Sequence, residues 1–540
     1  MRIFLLGLDG MTLRVLEPYV KANLLPNFKK IMEEGACGIL QSTIPPITAP
    51  AWISLATGKT PGKHHVFEFR KRKGYETTLI AKNTSSAAEP IWSTISRYGK
   101  TVKVINVPLT YPPDKVNGIM VSGMMTPNTK TEFTFPKEIK REILKLLPDY
   151  RIDIETREFL ASGNRDLLIK EVFKITEDRR ILMDYFLGSE PCELFFVVFV
   201  GPDRIQHFMW DEVQAMNPAC VRYYSLLDDI LGDILKRMDD NSALFVVSDH
   251  GFDATSKTFG INKFLEERGL LHVQTNKNSN QKPVKNHFEK VVLSLFKFIA
   301  RAKMLHLKKH LPPAFLIFLK NMFWSIISGK NNIDWSKSKA FSFLLYCVSL
   351  NLKDRDPLGC VESQDYNELC EIIKKELLEA KDPETGQHII KNVYRSDQLY
   401  PTQHKTDNRP DIIFLPNSGY SINTDIKLEG VLTDANLGTV KEPGSHDMDG
   451  LFLGYGNIIK NTKINADIYD IMPTILYLLG LAIPDDVDGR VLTEVIKPVF
   501  TEKNKIRFEK SKSNESSQAQ MLKEEAEELE RHLKGLGYLS

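Results

Sequence analysis

No apolar run in the 540-residue chain approaches the roughly 18 residues that a membrane-spanning helix needs. No internal repeat is present, and no pair of cysteines has C-x-x-C spacing. The six cysteines (Cys37, Cys192, Cys220, Cys347, Cys360 and Cys370) are scattered, several of them inside apolar stretches. A zinc ribbon and a dithiol redox centre are therefore excluded. An excess of charge is lacking too. The 71 basic and 69 acidic residues leave a net charge of +2, and nothing in that balance calls for nucleic acid as a partner. With 42% hydrophobic and 26% charged residues, the composition is that of a folded globular protein and excludes a disordered chain. The first apolar run, Ile3–Leu8, is too short for a signal-peptide core and has no small-residue cleavage site after it. A cytoplasmic protein is the expectation.

Short apolar runs that end in Gly/Asp turns mark the first half. Ile3–Leu8, Val102–Val107, Leu194–Val200 and Ala243–Val247 have strand length, and the last two are almost continuously apolar. Strands buried on both faces read this way. Helix-length segments lie between them at Pro26–Glu34, Ile91–Tyr98, Pro136–Leu147 and Asp166–Leu187. The alternation predicts an α/β sheet covered by helices on both sides, with a mostly parallel order. From about Lys257 the rhythm changes, and a polar loop is followed by Phe-, Leu- and Lys-rich helical sequence. Strand-like sequence returns at Ala340–Leu352 and a helix at Tyr366–Ala380. The expected organisation is a catalytic α/β domain in residues 1–256, an inserted α+β cap in 257–404 and a return to the main domain in 405–500. A charged linker with a terminal helix would fill 501–540. Asp467–Leu479 reads as a late helix closed by Gly480.

Three carboxylates follow three of the expected strands. Asp9 follows the first run, Asp203 the third (in Gly-Pro-Asp-Arg-Ile-Gln-His) and Asp249 the fourth (in Ser-Asp-His-Gly). Ligands bind at the carboxyl edge of open α/β sheets, and parallel neighbouring strands would bring the three acids together there. Such a cluster repels itself unless cations intervene. Asp203 and His207 are four apart, on one face of a helix; Asp249 and His250 are adjacent; His446 lies in Pro-Gly-Ser-His-Asp, read as a loop before another apolar run. Mixed carboxylate and imidazole ligation suits Zn²⁺, then Mn²⁺. Taken alone, Asp9 reads better as a helix cap, and Thr48, before the helix-like Ala51–Thr57, reads as an ordinary N-cap. The same place puts a hydroxyl at a helix N-terminus, where a phosphoryl anion is favoured. Two false leads fall away. Gly58-Lys59-Thr60 has Ile53 where a P-loop requires its first glycine, and Gly7-Leu8-Asp9-Gly10 lacks the second glycine of a dinucleotide fingerprint.

Together these motifs resemble the alkaline phosphatase superfamily, and within it the type I phosphodiesterase/nucleotide pyrophosphatase family. The resemblance is carried by Asp9 in Gly-Leu-Asp-Gly and by Thr48 in Thr-Ala-Pro-Ala-Trp-Ile-Ser-Leu-Ala-Thr-Gly with Pro61 and His64-His65. It continues through Asp203/His207, Asp249-His250-Gly251 and His446, with Asp470-Ile-Met-Pro-Thr and Asp488-Gly489-Arg490 near the end. It implies a three-layer α/β/α alkaline-phosphatase-like sandwich and two divalent ions, usually zinc. Asp9, Thr48, Asp249 and His250 would hold one ion, and Asp203, His207 and His446 the other. Thr48 would be the nucleophile and form a phosphothreonine intermediate. The family's usual phosphate-contacting Asn is replaced, counting from Thr48, by Phe69, with Arg70, Lys71 or Arg72 as substitutes for its positive end. Thr48-Ala-Pro-Ala-Trp does not match the Cys/Ser pattern of the sulfatases.

The implied function is a two-metal hydrolase of phosphate esters, a phosphodiesterase or nucleotide pyrophosphatase. Phosphomonoesterase or phosphomutase chemistry on the same site is the alternative, and a non-catalytic membrane-surface or phosphate-binding protein a further one. The substrate would be a small phosphate ester, a nucleotide or a lipid-linked group. Residues 281–330 carry ten Lys and Arg against one acid, Glu289, together with seven Phe and Trp. They read as lid helices or, alternatively, as a surface for peripheral contact with anionic membrane.

Overall fold

Along the strand Arg2–Leu8, Phe4, Leu6 and Leu8 enter one apolar cluster, while Ile3 and Leu5 enter another. The strands Leu194–Phe199 and Ser242–Val247 divide their side chains in the same way. Alternate residues of a strand point to opposite faces, so a strand that is apolar throughout requires cover on both. In this computed structural model, which describes residues 1–80, 88–154, 156–274, 333–401, 409–437, 440–512 and 523–535, helices supply that cover. Pro26–Glu34, Arg165–Leu187, Gly201–Gln214 and Pro218–Leu235 bury their apolar faces in the first cluster. Ile91–Arg97 and Ile471–Leu478 bury theirs in the second, and Thr48–Thr57 divides between them, with Ala49 and Ile53 in the first and Ala51, Trp52, Leu55 and Ala56 in the second. The result is the expected three-layer α/β/α sandwich.

The central sheet has nine strands, in the order Thr462–Asp467, Ala36–Gln41, Asp449–Tyr455, Ser242–Val247, Arg2–Leu8, Leu194–Phe199, Val102–Val107, Gly118–Ser122, Thr134–Phe135. Only Asp449–Tyr455 and the short edge strand Thr134–Phe135 run against the rest. Arg2–Leu8 pairs in parallel with both Leu194–Phe199 and Ser242–Val247. The three strands that precede Asp9, Asp203 and Asp249 are thus immediate neighbours. Because Asp449–Tyr455 is reversed, it begins at the edge where its neighbours end, and the segment before it is delivered to that edge.

A second sheet joins Ala340–Phe341, Cys347–Leu350, Ile412–Pro416 and Ile390–Arg395, and the helix Tyr366–Glu379 packs beside it. Ile412–Pro416, expected to reopen the main domain, pairs instead with Cys347–Leu350 and Ile390–Arg395 of the inserted region. Its apolar run of strand length was indistinguishable by period from a central strand. The polar loop and the basic aromatic stretch 281–330 lie outside the described residues.

Two further expectations are corrected. Asp467–Leu479 is not one helix, because Asp467 and Asp470 form a reciprocal capping box around the short turn Ile468–Asp470, from which the helix Ile471–Leu478 continues. Part of the expected linker is ordered: Phe508–Glu509 pairs with Ile483–Pro484, and Glu509 Oε1 meets Arg97 Nη2 at 2.6 Å. The terminal helix, Lys523–Gly535, buries Leu529 and Leu533 in the first core cluster. Among the described residues, no helix is long and apolar enough to cross a membrane.

Candidate metal and nucleophile site

Each strand end delivers one part of the site. Arg2–Leu8 ends directly before Asp9, whose N–H donates to the Phe199 carbonyl at 3.0 Å. Leu194–Phe199 runs into the helix Gly201–Gln214, which carries Asp203 in its first turn and His207 one turn later, on the same face as the four-residue spacing predicts. Asp249 and His250 occupy the bend between Ser242–Val247 and Gly251–Gly260. His446 is a strand residue rather than the expected loop residue. Gly444–Asp447 pairs antiparallel with Gly251–Gly260 and places His446 opposite Phe252. That pairing was invisible in the sequence because almost 200 residues separate its partners.

Thr48 differs from the expected N-cap. The helix begins at Thr48 itself and includes Ala49 and Pro50, with Ile47 as the flanking residue. Proline is accepted in a first turn because the N–H it lacks would have no helical partner there. Pro50 therefore does not set the boundary, and the Thr48 hydroxyl is not spent on capping. Thr48 Oγ1 lies 3.2 Å from His250 Nε2.

Around these atoms two donor groups share an edge. His250 Nε2 is 3.3 Å from Asp249 Oδ2 and 3.6 Å from Asp9 Oδ1. His446 Nε2 is 3.2 Å from Asp203 Oδ1 and 3.1 Å from His207 Nε2, and His207 Nε2 is 3.5 Å from Asp203 Oδ1. The His250 and His446 rings stack with centroids 3.6 Å apart, and His250 Nε2 lies 3.9 Å from Asp203 Oδ1. All seven residues singled out in the sequence (Asp9, Thr48, Asp203, His207, Asp249, His250 and His446) are buried or nearly so and lie together.

The tautomers follow from the neighbours. His250 Nδ1 sits 3.1 Å from the Gly251 carbonyl and His446 Nδ1 3.0 Å from the Pro46 carbonyl. A carbonyl only accepts, so in both rings Nδ1 carries the proton and Nε2 presents a lone pair to the cluster. Burial pushes His207 down to about 3 and His250 to about 4, and it lowers His446 as well, so the rings are neutral. Burial, reinforced by Asp249 and Asp203, raises Asp9 well above the usual carboxylate range. Asp249 is pushed up to about 7 by burial, against the Gly10 N–H that donates to its Oδ1. Burial opposes ionisation of Asp203 too, but His207, His446 and Arg204 outweigh it and hold that group low.

The donor set fits divalent cations. Three fully buried carboxylates converge, and Arg204 is the cation recorded in contact with one of them. Asp9 Oδ1 and Asp249 Oδ2 have no hydrogen-bond donor among the described residues. The Nε2 atoms of His207 and His446 lie 3.1 Å apart, both beside Asp203 Oδ1. Carboxylate oxygens with imidazole nitrogens are the ligands of Zn²⁺ and Mn²⁺ sites.

Sequence reasoning missed the supporting residues. Trp52, one helical turn after Thr48, donates Nε1–H to Asp9 Oδ2 at 3.1 Å. Gly10, at φ +71, turns its N–H to Asp249 Oδ1 at 3.1 Å, and Ser42 Oγ donates to the Asp249 carbonyl at 2.6 Å. Phe69, which counting from Thr48 puts in place of a phosphate-contacting Asn, lies in the core. Arg70 Nε stands 3.6 Å from Glu68, and Arg72 Nη1 is bound to Asp356 at 2.6 Å. The two buried arginines of that stretch are thus met by carboxylates of the protein itself. A cleft of about 260 Å³ opens beside His446, between the Ile44–Pro46 loop, Tyr346, Lys391, Tyr394 and Asn417.

The family model of type I phosphodiesterases/nucleotide pyrophosphatases matches residues 3–449. The chain belongs to that family. Through it the chain joins the alkaline phosphatase superfamily. Similar solved structures include murine ectonucleotide pyrophosphatase/phosphodiesterase 5, both as such and as an inactive variant in complex with AMP, and the human protein of the same name. Each has a TM-score of 0.51 and 14% identity, and the alignment covers 92% of this chain and 100% of that one. At that identity the likeness speaks for the fold. No curated protein matches the chain.

Proposed function

We propose that this family member is a two-metal phosphodiesterase or nucleotide pyrophosphatase with Thr48 as its nucleophile. The observation that carries the reading is the meeting of the Thr48 hydroxyl with His250 inside a cluster of three buried carboxylates. Asp9, Thr48, Asp249 and His250 would hold one ion, and Asp203, His207 and His446 the other, with zinc the best match to the donors. When bound, the two ions would lower the pKa of the hydroxyl and neutralise the attacking and leaving oxygens.

The remaining roles belong to the chain. Thr48 Oγ bonds to phosphorus as the bond to the leaving-group oxygen breaks, giving a phosphothreonine. Water then attacks the same phosphorus and returns the hydroxyl. The N–H groups of Thr48 and Ala49 have no partner within their helix, and the positive end of its dipole favours the phosphoryl oxygens. Trp52 and Gly10 orient Asp9 and Asp249 through hydrogen bonds to the oxygens that face away from His250. The cleft beside His446 leaves room for the second ester group of a diester, and AMP in a structural relative makes nucleotides the first class to try. A buried Phe69 where the family carries an Asn favours the second reading, a monoesterase or phosphomutase.

The test compares kcat/KM for an aryl phosphodiester and its monoester on zinc-reconstituted enzyme, with Thr48→Ala as control. Diester preference with no turnover by the variant is the expected result. Monoester preference moves the assignment to a phosphatase or mutase. Undiminished turnover by Thr48→Ala refutes the nucleophile, as does failure to trap labelled phosphate on Thr48.

A further inference from the structure

Asp203 uses its two oxygens differently. Oδ1 faces His446 and His207, whereas Oδ2 accepts from Arg204 Nη1 at 2.5 Å. The Arg204 side chain is 1% exposed. Its other edge grips Asp153, with Nη2 2.7 Å from Oδ2 and Nε 3.3 Å from Oδ1. Asp153 is 4% exposed, and its segment is pinned by Arg179 Nη2, which donates to the Ile152 carbonyl at 2.6 Å. Beyond Asp153 stands the terminal helix. His532 Nε2 is 3.7 Å from Asp153 Oδ2, and Leu529 and Leu533 anchor the same helix in the core. A line of contacts therefore runs from the site through Arg204 and Asp153 to the helix Lys523–Gly535.

A planar guanidinium held on both edges is restrained from swinging, and its bond to Oδ2 in turn restrains the rotation of the Asp203 carboxylate. We propose that Arg204 and Asp153 are positioning residues for the metal site, and that the terminal helix locks them in place through His532. The inference rests on the two-metal reading. Arg204 commits Oδ2 of Asp203 and so leaves Oδ1 as the single ligand atom directed at His207 and His446. It also sets one fixed positive charge beside three carboxylates. Loss of Asp153 frees the guanidinium to fork onto Asp203 with both arms and compete for Oδ1. Partners that orient metal ligands in this way typically contribute roughly 10- to 100-fold in affinity.

The test uses full-length protein with Asp153→Asn and His532→Ala. Zinc affinity is read by competition with a chromophoric chelator, and melting temperature is followed in EDTA and in excess zinc. Asp153→Asn should weaken one of two bound ions by roughly 10- to 100-fold. His532→Ala, on a helix that the core holds independently, should weaken the same ion by a smaller factor. In both variants the zinc-induced rise in melting temperature should shrink more than the melting temperature in EDTA falls. Wild-type affinity in both variants overturns the proposal, and wild-type affinity in His532→Ala alone removes the terminal helix from it. Equal losses in EDTA and in zinc would mark the network as structural only and also overturn it. If Asp153→Asn does not fold, Arg204→Lys, which keeps the charge but cannot fork between Asp203 and Asp153, decides in the same two assays: wild-type zinc affinity overturns the proposal. Wild-type protein that binds no zinc refutes the two-metal reading instead, a result distinct from all of these.

Discussion

Asp9→Asn removes a charge from the most crowded part of the site and leaves the volume of the side chain unchanged. Donor atoms of Asp9, Asp249 and His250 lie within 4.8 Å of one another. Two carboxylate charges at that separation, in an effective dielectric of about 20, repel by roughly 3 kcal/mol. Taking up a proton relieves the repulsion, but at neutral pH the unfolded chain lacks that proton, so the folded state is penalised either way. The amide keeps an oxygen for Trp52 Nε1, now 3.1 Å from Asp9 Oδ2. Turning that charged hydrogen bond into a neutral one costs about 1 kcal/mol. In metal-free protein the substitution should therefore stabilise by about 2 kcal/mol. Unfolding entropy of about 2 cal/mol/K per residue over 540 residues makes this a rise of about 2 °C in melting temperature. In zinc the sign reverses. At a thousandfold excess over Kd each occupied site contributes about 4 kcal/mol, and the variant forfeits most of one such contribution. Calorimetry in EDTA and then in excess zinc measures both arms. A variant less stable than wild type in EDTA, or one with an undiminished zinc response, would refute the claim that these acids are gathered for cations.

Three further outcomes are expected. His446→Ala should lower bound zinc from two ions per chain to about one, read by elemental analysis, since His446 Nε2 shares its position with Asp203 and His207. Gly7→Ala should destabilise by about 1–3 kcal/mol in urea and weaken zinc binding as well. Its Cβ would lie 2.4 Å from the Trp52 ring and 2.8 Å from Val198, and a displaced Trp52 releases Asp9. Asp356→Ala takes the carboxylate away from the buried Arg72 guanidinium, now 2.6 Å from Asp356, leaving it the Gly74 carbonyl and the Phe341 ring, and should cost about 3–5 kcal/mol in the same assay.

The carboxylates were legible because each ends an apolar run. A run apolar at every position must lie between two layers, parallel strands end at one edge, and an acid placed just beyond each strand has nowhere else to be. The four-residue spacing of Asp203 and His207 is weak by itself and gained meaning only within the ordered set of motifs. What the period does not distinguish is which sheet a run joins, and so Ile412–Pro416, within the expected return to the main domain, joins the second sheet. A helix start was misplaced for a related reason. Thr48 before Ala51–Thr57 reads as an N-cap in sequence, yet Pro50 fits within a first turn, so the helix starts at Thr48 and its hydroxyl lies 3.2 Å from His250.

Residue type and local order, then, determined the alternation of strands and helices and the sheet edge at which the three acids gather, because those depend on neighbours along the chain. Tertiary structure alone decided the rest. His446 reaches its partners only because Asp449–Tyr455 runs backwards in the sheet and Gly444–Asp447 pairs across the fold. Arg204 is committed to Asp203 and Asp153 only because two segments about 50 residues apart meet at one buried guanidinium, and a helix more than 300 residues further on stands beside Asp153. Contacts between distant segments carry no periodic signal, and the energetic case for them exists only once burial has removed the water that would otherwise satisfy each charge.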